Sequence, residues 1–309
     1  MNRRDCPYCG MAKKQGELYC SRHSNDMSAL DSGIFFIEGK NFEECDWHVT
    51  RLSLNFNFDA SQSYFVGNRE YRISPEKYLL INEGQSFKTF AASPVESRMV
   101  TIAFKVGLAE EICHTLNNSD EYLLEHTAAD KGRRNFFEKT YPLDDFFQNR
   151  ILSLIQTSQD NSIDKNYLNE QLESILIHLL ILQKDVRQDA LAINKVRKST
   201  RIEIYRRLHW ALEYIHNHFH EDIKVEQLAL QSCLSSFHFK RLFKELFHAP
   251  PYQYIKKLRI QKASELLMKG QPVNEVCKAV GWEDRSSFIR LFKQVMQVTP
   301  HQFRQGLKD

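Results

Sequence analysis

Glycine and proline are scarce in this chain, 11 and 8 among 309 residues, which excludes a collagen-like repeat and a low-complexity linker protein. No stretch approaches the roughly 18 consecutive apolar residues of a membrane span, so no membrane partner is expected. The opening MNRRDCPYCG lacks the apolar run of a secretion signal, and a cytoplasmic protein is therefore expected. Histidine is nearly missing between residues 34 and 106, where His48 stands alone. Metal chemistry inside a strand-built domain needs several His and a carboxylate converging on one ion, so that enzyme class is excluded for this stretch. Seven cysteines, an odd number without an export signal, argue for reduced thiols or metal ligands and against a disulfide framework.

What remains is 42% apolar and 26% charged, the composition of a folded protein, and its length suits two domains of about 100 to 200 residues. The net charge of +3 conceals an asymmetry. From Arg201 onward there are 18 Lys+Arg against 11 Asp+Glu, leaving 24 against 28 before it, so only the C-terminal part suits a polyanion.

Residues 34 to about 106 read as strands. Leu52, Leu54, Phe56 and Phe58 alternate with Ser53, Asn55 and Asn57, the period-two pattern of a half-buried strand. Gly67 and Asn68 separate two short β-rich runs and predict a hairpin. From Leu108 the period becomes helical: Ile151, Leu152 and Ile155 share one face, and Leu168, Leu172, Ile175, Leu176, Leu179 and Leu180 form a longer stripe. That stripe suits a helix packed on its own domain and also suits a seam between two subunits. Residues 183–201 turn polar and basic and read as a linker, and from Ile202 onward the chain reads as all-α.

The basic half repeats itself. Arg241-Leu242-Phe243-Lys244 returns as Arg290-Leu291-Phe292-Lys293, Phe239 as Phe288, and Pro251-x-x-Tyr254 as Pro300-x-x-Phe303, all 49 residues on. Upstream the offset is 48, which places one extra residue near Glu283. Each copy reads as a short helix, a tight turn, and a second helix capped by Ser235 or Asp284. The second helix carries apolar Phe239, Leu242, Phe243 and Leu246, or Phe288, Leu291, Phe292 and Val295, on one face. The opposite face carries Ser236, Lys240, Arg241 and Lys244, or Arg285, Ser286, Arg290 and Lys293. A single Lys or Arg there reads as a solvated face. The same cationic face twice, with hydroxyls near its start, suits phosphates and base edges of double-stranded DNA.

Leu228-Ala229, the run Ser235-Ser236-Phe237-His238-Phe239-x-Arg241-Leu242-Phe243-Lys244, Pro251-x-x-Tyr254 with Arg259, Gly281-Trp282-x-Asp284-x-Ser286-Ser287-Phe288 and Thr299-Pro300-x-x-Phe303-Arg304 form a specific set. Together they resemble the DNA-binding domain of the AraC/XylS family of transcription regulators. The resemblance implies two helix-turn-helix subdomains joined by a long helix from about Pro251 to Met268. It also implies DNA contacts from Phe237, Lys240 and Arg241 in the first copy and from Arg285, Ser286 and Arg290 in the second. Cys233, His248 and Gln297 stand where the family often has Gly.

The strand region is similar, less specifically, to the cupin-like sensor half of such regulators. The implied fold class is α+β and multidomain: a cupin-like β-barrel with flanking helices over 28–182, a linker over 183–201, and an all-α double helix-turn-helix over 202–309 with its core at 208–307. A small-molecule effector is expected in the first domain, with Phe56, Phe58, Tyr64, Phe65, Tyr78, Phe87 and Phe90 as the candidate lining for an apolar ligand or, alternatively, as core. RNA polymerase and a second copy of the chain are further expected partners, and no catalysis is expected.

Residues 1–27 read as a zinc knuckle or a tail. Cys6 and Cys9, then Cys20 and His23, have paired two-residue gaps that suit one tetrahedral Zn2+, and Gly10 permits the turn behind the second sulfur. Alternatives stay open: a redox-active Cys6/Cys9 pair, alkylation repair by a zinc-cysteine domain, or a translation start at Met27.

Overall fold

The computed structural model describes residues 32–39, 45–59, 61–90, 97–117, 135–159, 165–192 and 198–305. The candidate zinc ligands Cys6, Cys9, Cys20 and His23, and Met27, lie outside the described residues. The chain divides into two compact units between Asp189 and Ala190.

In the first unit the strands are β1 (Gly33–Gly39), β2 (Cys45–Val49), β3 (Ser53–Asn57), β4 (Gln62–Val66), β5 (Arg69–Ile73), β6 (Lys77–Ile81), β7 (Ser86–Phe90), β8 (Ser97–Ala103) and β9 (Thr140–Pro142). They form a five-stranded sheet, ordered β1-β8-β3-β6-β9, and a four-stranded sheet, ordered β2-β7-β4-β5. All recorded pairings are antiparallel. The β4–β5 hairpin turns through Gly67, whose φ of 56° opens the two-residue loop.

Where a cupin-like β-barrel was expected, the described residues form two separate antiparallel sheets and no closed barrel. The chain changes sheet at β1–β2, β2–β3, β3–β4, β5–β6, β6–β7 and β7–β8, so the sheets meet through side chains and not through a continuous ladder. Tyr64, Val66, Tyr71, Ile73 and Phe87 of one sheet share a buried cluster with Leu79, Ile81 and Met99 of the other.

Register then decides which face of β3 is which. Asn55 pairs with Leu79 and Thr101, and Ser53 with Ile81 and Ala103, so the polar side of β3 faces between the sheets. All five residues of β3 are buried, which corrects the expected half-buried strand. Helix α1 (Leu108–Asn117) follows β8, and the opposite side of β3, with Leu54 and Phe56, is buried and meets α2 (Asp145–Gln159). Helix α3 (Lys165–Ala192) packs on α2 through His178, 4.2 Å from the Phe146 ring. Phe147 of α2 lies 4.8 Å from the Tyr78 ring and 6.3 Å from that of Phe56. Phe147, Ile151 and Leu154 form the buried stripe of α2, whereas Leu152 is exposed. Leu172, Ile175, Leu176 and Leu179 of α3 are buried, so these members of the long stripe serve as core, whereas Leu168 and Leu180 are half-buried. Gln183 of α3 accepts from the Phe137 amide at 2.9 Å and donates to the Tyr141 hydroxyl at 2.7 Å.

The stretch 183–201 is helical at both ends, because α3 continues to Ala192 and α4 (Lys198–His218) starts at Lys198.

The second unit holds α4, α5 (Val225–Gln231), α6 (Ser236–Phe247), α7 (Pro251–Met268), α8 (Val273–Ala279), α9 (Arg285–Met296) and α10 (Pro300–Gln305). Pro251 opens α7 at its first turn, where a missing amide costs nothing and a fixed φ helps. That helix, about 27 Å long by its rise per residue, contributes Ile260, Ala263 and Leu267 to a core shared with Val273, Val276, Phe288 and Phe292.

Candidate nucleic-acid interface

The two turns are built from the same bonds. In the first, the amide of Cys233 donates to Leu230 O at 2.9 Å and that of Leu234 to Ala229 O at 3.0 Å. In the second, Gly281 donates to Lys278 O at 3.0 Å and Trp282 to Cys277 O at 3.0 Å, each 48 residues on. Cys233 and Gly281 both take left-handed backbone, φ 52° and 72°. His248 and Gln297 take it at the ends of α6 and α9, φ 57° and 62°. Three non-glycine residues therefore accept a conformation costing roughly 1–2 kcal/mol each, because the repeated scaffold requires it there.

Both second helices are capped at the predicted residue. Ser235 Oγ accepts from the His238 amide at 3.3 Å, and the Asp284 carboxylate from Ser286 and Ser287 at 3.1 and 2.8 Å. Those two amides hold the Asp284 carboxyl below its ordinary pKa. The apolar faces pack alike. Phe239 and Phe243 lie 5.5 Å apart and Phe288 and Phe292 5.8 Å apart, while Phe243 meets Tyr254 edge-on at 5.8 Å as Phe292 meets Phe303 at 5.6 Å.

With the apolar face fixed, the outer face follows. Phe237, Arg241 and Lys244 lie at i, i+4 and i+7 on α6, and Ser286, Arg290 and Lys293 repeat that spacing on α9, so each set forms one stripe. All six are exposed, as are Lys240 and Arg285, and Ser236 is half-buried. Phe237 is 72% exposed, a large ring held in solvent on a helix where Phe239 and Phe243 are buried and Phe247 is half-buried. Lys240 forms an ion pair with Glu226 at 2.9 Å, an interaction sequence spacing did not reveal, and that pair holds the Glu226 carboxyl below its ordinary pKa.

Two further residues of the motif region lie beside α9. Arg304 and His301 line, with Arg285, Asn274 and Thr299, a hollow of about 230 Å3 at the start of that helix. Arg304 stood in the sequence motif but only packing shows that it shares a surface with Arg285. Among the described residues, no group of three or more His, Cys, Asp or Glu is arranged to hold a metal ion. No described helix is long and apolar enough to cross a membrane. The aromatics expected to line one pocket are divided: Tyr64 and Phe87 lie between the sheets, Phe56 and Tyr78 lie against α2, and Phe65 carries Lys88 at 5.3 Å on the outer side.

A sequence profile described as a helix-turn-helix domain matches residues 228–306. The MmsAB operon regulatory protein of Pseudomonas aeruginosa is 36% identical over 97 residues, 31% of this chain and 32% of that protein. Residues 228–306 are an AraC-type helix-turn-helix domain. The regulatory protein PocR of Salmonella typhimurium is 28% identical over 148 residues, 48% of this chain and 46% of that protein. The chain thus spans about a third to a half of the length of these relatives. Among solved structures, the C-terminal domain of AraT, a response regulator from Geobacillus stearothermophilus, is 29% identical. It covers 32% of this chain and 84% of that one, with a TM-score of 0.31. The AraC-type domain includes both turns and both cationic stripes described above.

Proposed function

We infer that this protein is a sequence-specific DNA-binding transcription regulator without catalytic chemistry of its own. The observation that carries the reading is one turn built twice, each copy presenting an exposed cationic stripe. Two such helices about one helical repeat apart, roughly 34 Å, enter successive major grooves of one duplex. Arg241 and Arg290 have the reach and the paired donors to read guanine edges, and Phe237 suits a thymine methyl. Ser236, Lys240, Lys244, Arg285, Ser286 and Lys293 are assigned to phosphates and flanking contacts. The P. aeruginosa relative, by name an operon regulatory protein, supports the same role.

The test is duplex selection followed by anisotropy at several salt concentrations. Arg290→Ala should lose about 1–3 kcal/mol of discrimination at one base pair. Lys293→Ala should weaken all duplexes alike and flatten the salt slope by about one unit. Equal binding by wild type and Arg241→Ala/Arg290→Ala to every duplex refutes the assignment.

The effector reading is kept for the first unit, with its chemistry revised. Ser53, Asn55, Gln62, Thr89 and Thr101 lie buried on the facing sides of the two sheets, where an apolar ligand would leave them unpaired. Asn55 holds Thr101 at 2.9 Å, yet its bonds to Ser53 and Leu79 O are stretched to 3.3 and 3.4 Å. Gln62 Nε2 has no partner among the described residues. These groups favour a small, uncharged, hydrogen-bonding effector. A panel of neutral polyols and sugars should stabilise the full chain, by about 2.7 kcal/mol at a hundredfold excess over Kd. Stabilisation by fatty alcohols alone would restore the apolar reading. Structural Zn2+ at Cys6, Cys9, Cys20 and His23 is also proposed, and metal analysis showing no zinc, or zinc unaffected by Cys9→Ser, would remove it. RNA polymerase and a second copy of the chain complete the proposed partners.

A further inference from the structure

Arg259 sits on α7, on the side away from neither helix-turn-helix copy but between them. Its Nε donates to Phe219 O at 2.6 Å, Nη2 to Glu221 O at 2.7 Å, and Nη1 to Gly281 O at 2.8 Å. The first two carbonyls follow α4, which belongs to the first copy: His216 Nε2 lies 2.9 Å from the Tyr254 hydroxyl, and His209 meets Phe247 edge-on at 5.2 Å. The third carbonyl belongs to the turn of the second copy. One guanidinium therefore bonds both copies, and its Cζ lies 5.6 Å from the centroid of the Trp282 ring.

Two independent features show that the copies are pressed together here. Phe219 packs against the core of the second copy. A Cβ at Gly281 would stand 2.1 Å from His220 O, so the second turn approaches the 219–221 segment as closely as backbone permits. The first turn has no counterpart, since Cys233 is exposed.

We propose that Arg259 is a positioning residue that fixes the second recognition helix relative to the first, and so makes the protein select duplexes by the spacing between two half-sites. The proposal rests on the DNA-binding reading above. Helix α7 and its core hold the second copy along one line, and the three carbonyl bonds hold it against rotation about that line. Lysine keeps the charge and the stem but presents a single nitrogen, which does not span three diverging carbonyls. Arg259→Lys should therefore fold while loosening the joint.

The experiment uses the full chain, a selected duplex, and versions of it with one, two or three base pairs inserted between the halves. Each insertion turns one half-site by about a tenth of a helical turn. Wild type should lose at least about tenfold in affinity on the first insertion. Arg259→Lys should lose about tenfold on the original duplex and bind the original and first-insertion duplexes within about threefold of each other. A uniform loss with the wild-type spacing profile, or no change at all, overturns the proposal, since a merely stabilising residue produces one or the other. A second readout needs no DNA: dyes on azide-bearing residues at 244 and 293 report the separation of α6 and α9. That distribution should be narrow in wild type and broader in Arg259→Lys. An unchanged width overturns the brace, whereas a broadened width in a protein that binds no duplex sinks the DNA reading and leaves the brace standing.

Discussion

The two helix-turn-helix copies share their turn bonds, capping positions and aromatic pairs, yet they use the left-handed residue of the turn for different ends. In the first copy it is Cys233, exposed; in the second it is Gly281, with carbonyl oxygen of His220 where a side chain would go. Repetition of a scaffold thus fixes backbone conformation at a position without fixing what surrounds it. The shared part predicts the largest effects. Phe243→Ala and Phe292→Ala each empty a fully buried site, and each should cost about 3–5 kcal/mol in chemical denaturation. A marked inequality between the two would show that one copy lacks the close packing that the matching ring geometry implies.

The unshared part comes next. Gly281→Ala combines a left-handed backbone with a Cβ driven into backbone, and neither can relax cheaply. A loss of about 3 kcal/mol is expected, with the second copy melting first. Hydrogen exchange that opens α8 and α9 before α5 and α6 checks it. If both copies open together, the 219–221 segment yields to the intruding methyl and the close approach is not rigid.

The same contrast shows what the sequence could disclose. Helix limits in the C-terminal half were legible because caps, prolines and apolar spacing act locally: Ser235, Asp284 and Pro251 mark their helices without reference to distant residues. The cationic stripes followed from the same period. Arg259 was visible only as part of a motif, since its three carbonyl partners lie 22 to 40 residues away. The first unit was harder for a related reason. Alternation in β3 reported that its two faces differ in polarity, but not that both would be covered, because covering depends on the second sheet and on α2. Likewise, seven aromatics close in sequence gave no indication that register would send Tyr64 and Tyr78 to different layers.

A smaller effect separates the caps. Ser235→Ala should cost about 1 kcal/mol, and the serine cap itself does not ionise. Asp284 differs because its carboxyl is held below the ordinary value of about 3.9 by the Ser286 and Ser287 amides, with Arg290 adding to the effect. Its folded form binds the proton more weakly than the unfolded chain does. The stabilisation is therefore complete above the ordinary carboxyl range and is lost as pH falls through the lower folded value. Melting followed from pH 6 to pH 2 should show the extra acid loss in wild type and not in Asp284→Asn, which keeps an acceptor without the titration. Identical acid profiles would mean that the carboxylate's charge contributes nothing beyond its acceptor oxygen.

The smallest effect is expected where the first turn is made most like the second. Cys233→Gly relieves a left-handed side chain, a gain of roughly 1 kcal/mol. It also gives the unfolded chain a residue with more accessible backbone states, a loss of about 0.4–1 kcal/mol. Because Cys233 is exposed, little packing is lost with its side chain. The two contributions nearly cancel, and a net change within about 0.5 kcal/mol is expected. The reciprocal exchange at 281 fails for a reason beyond φ, because the added Cβ would meet the His220 carbonyl. If Cys233→Gly instead stabilised by well over a kilocalorie, the first turn would be strained beyond its backbone angle alone. The asymmetry between the turns would then lie in stored strain and not in what the second turn touches.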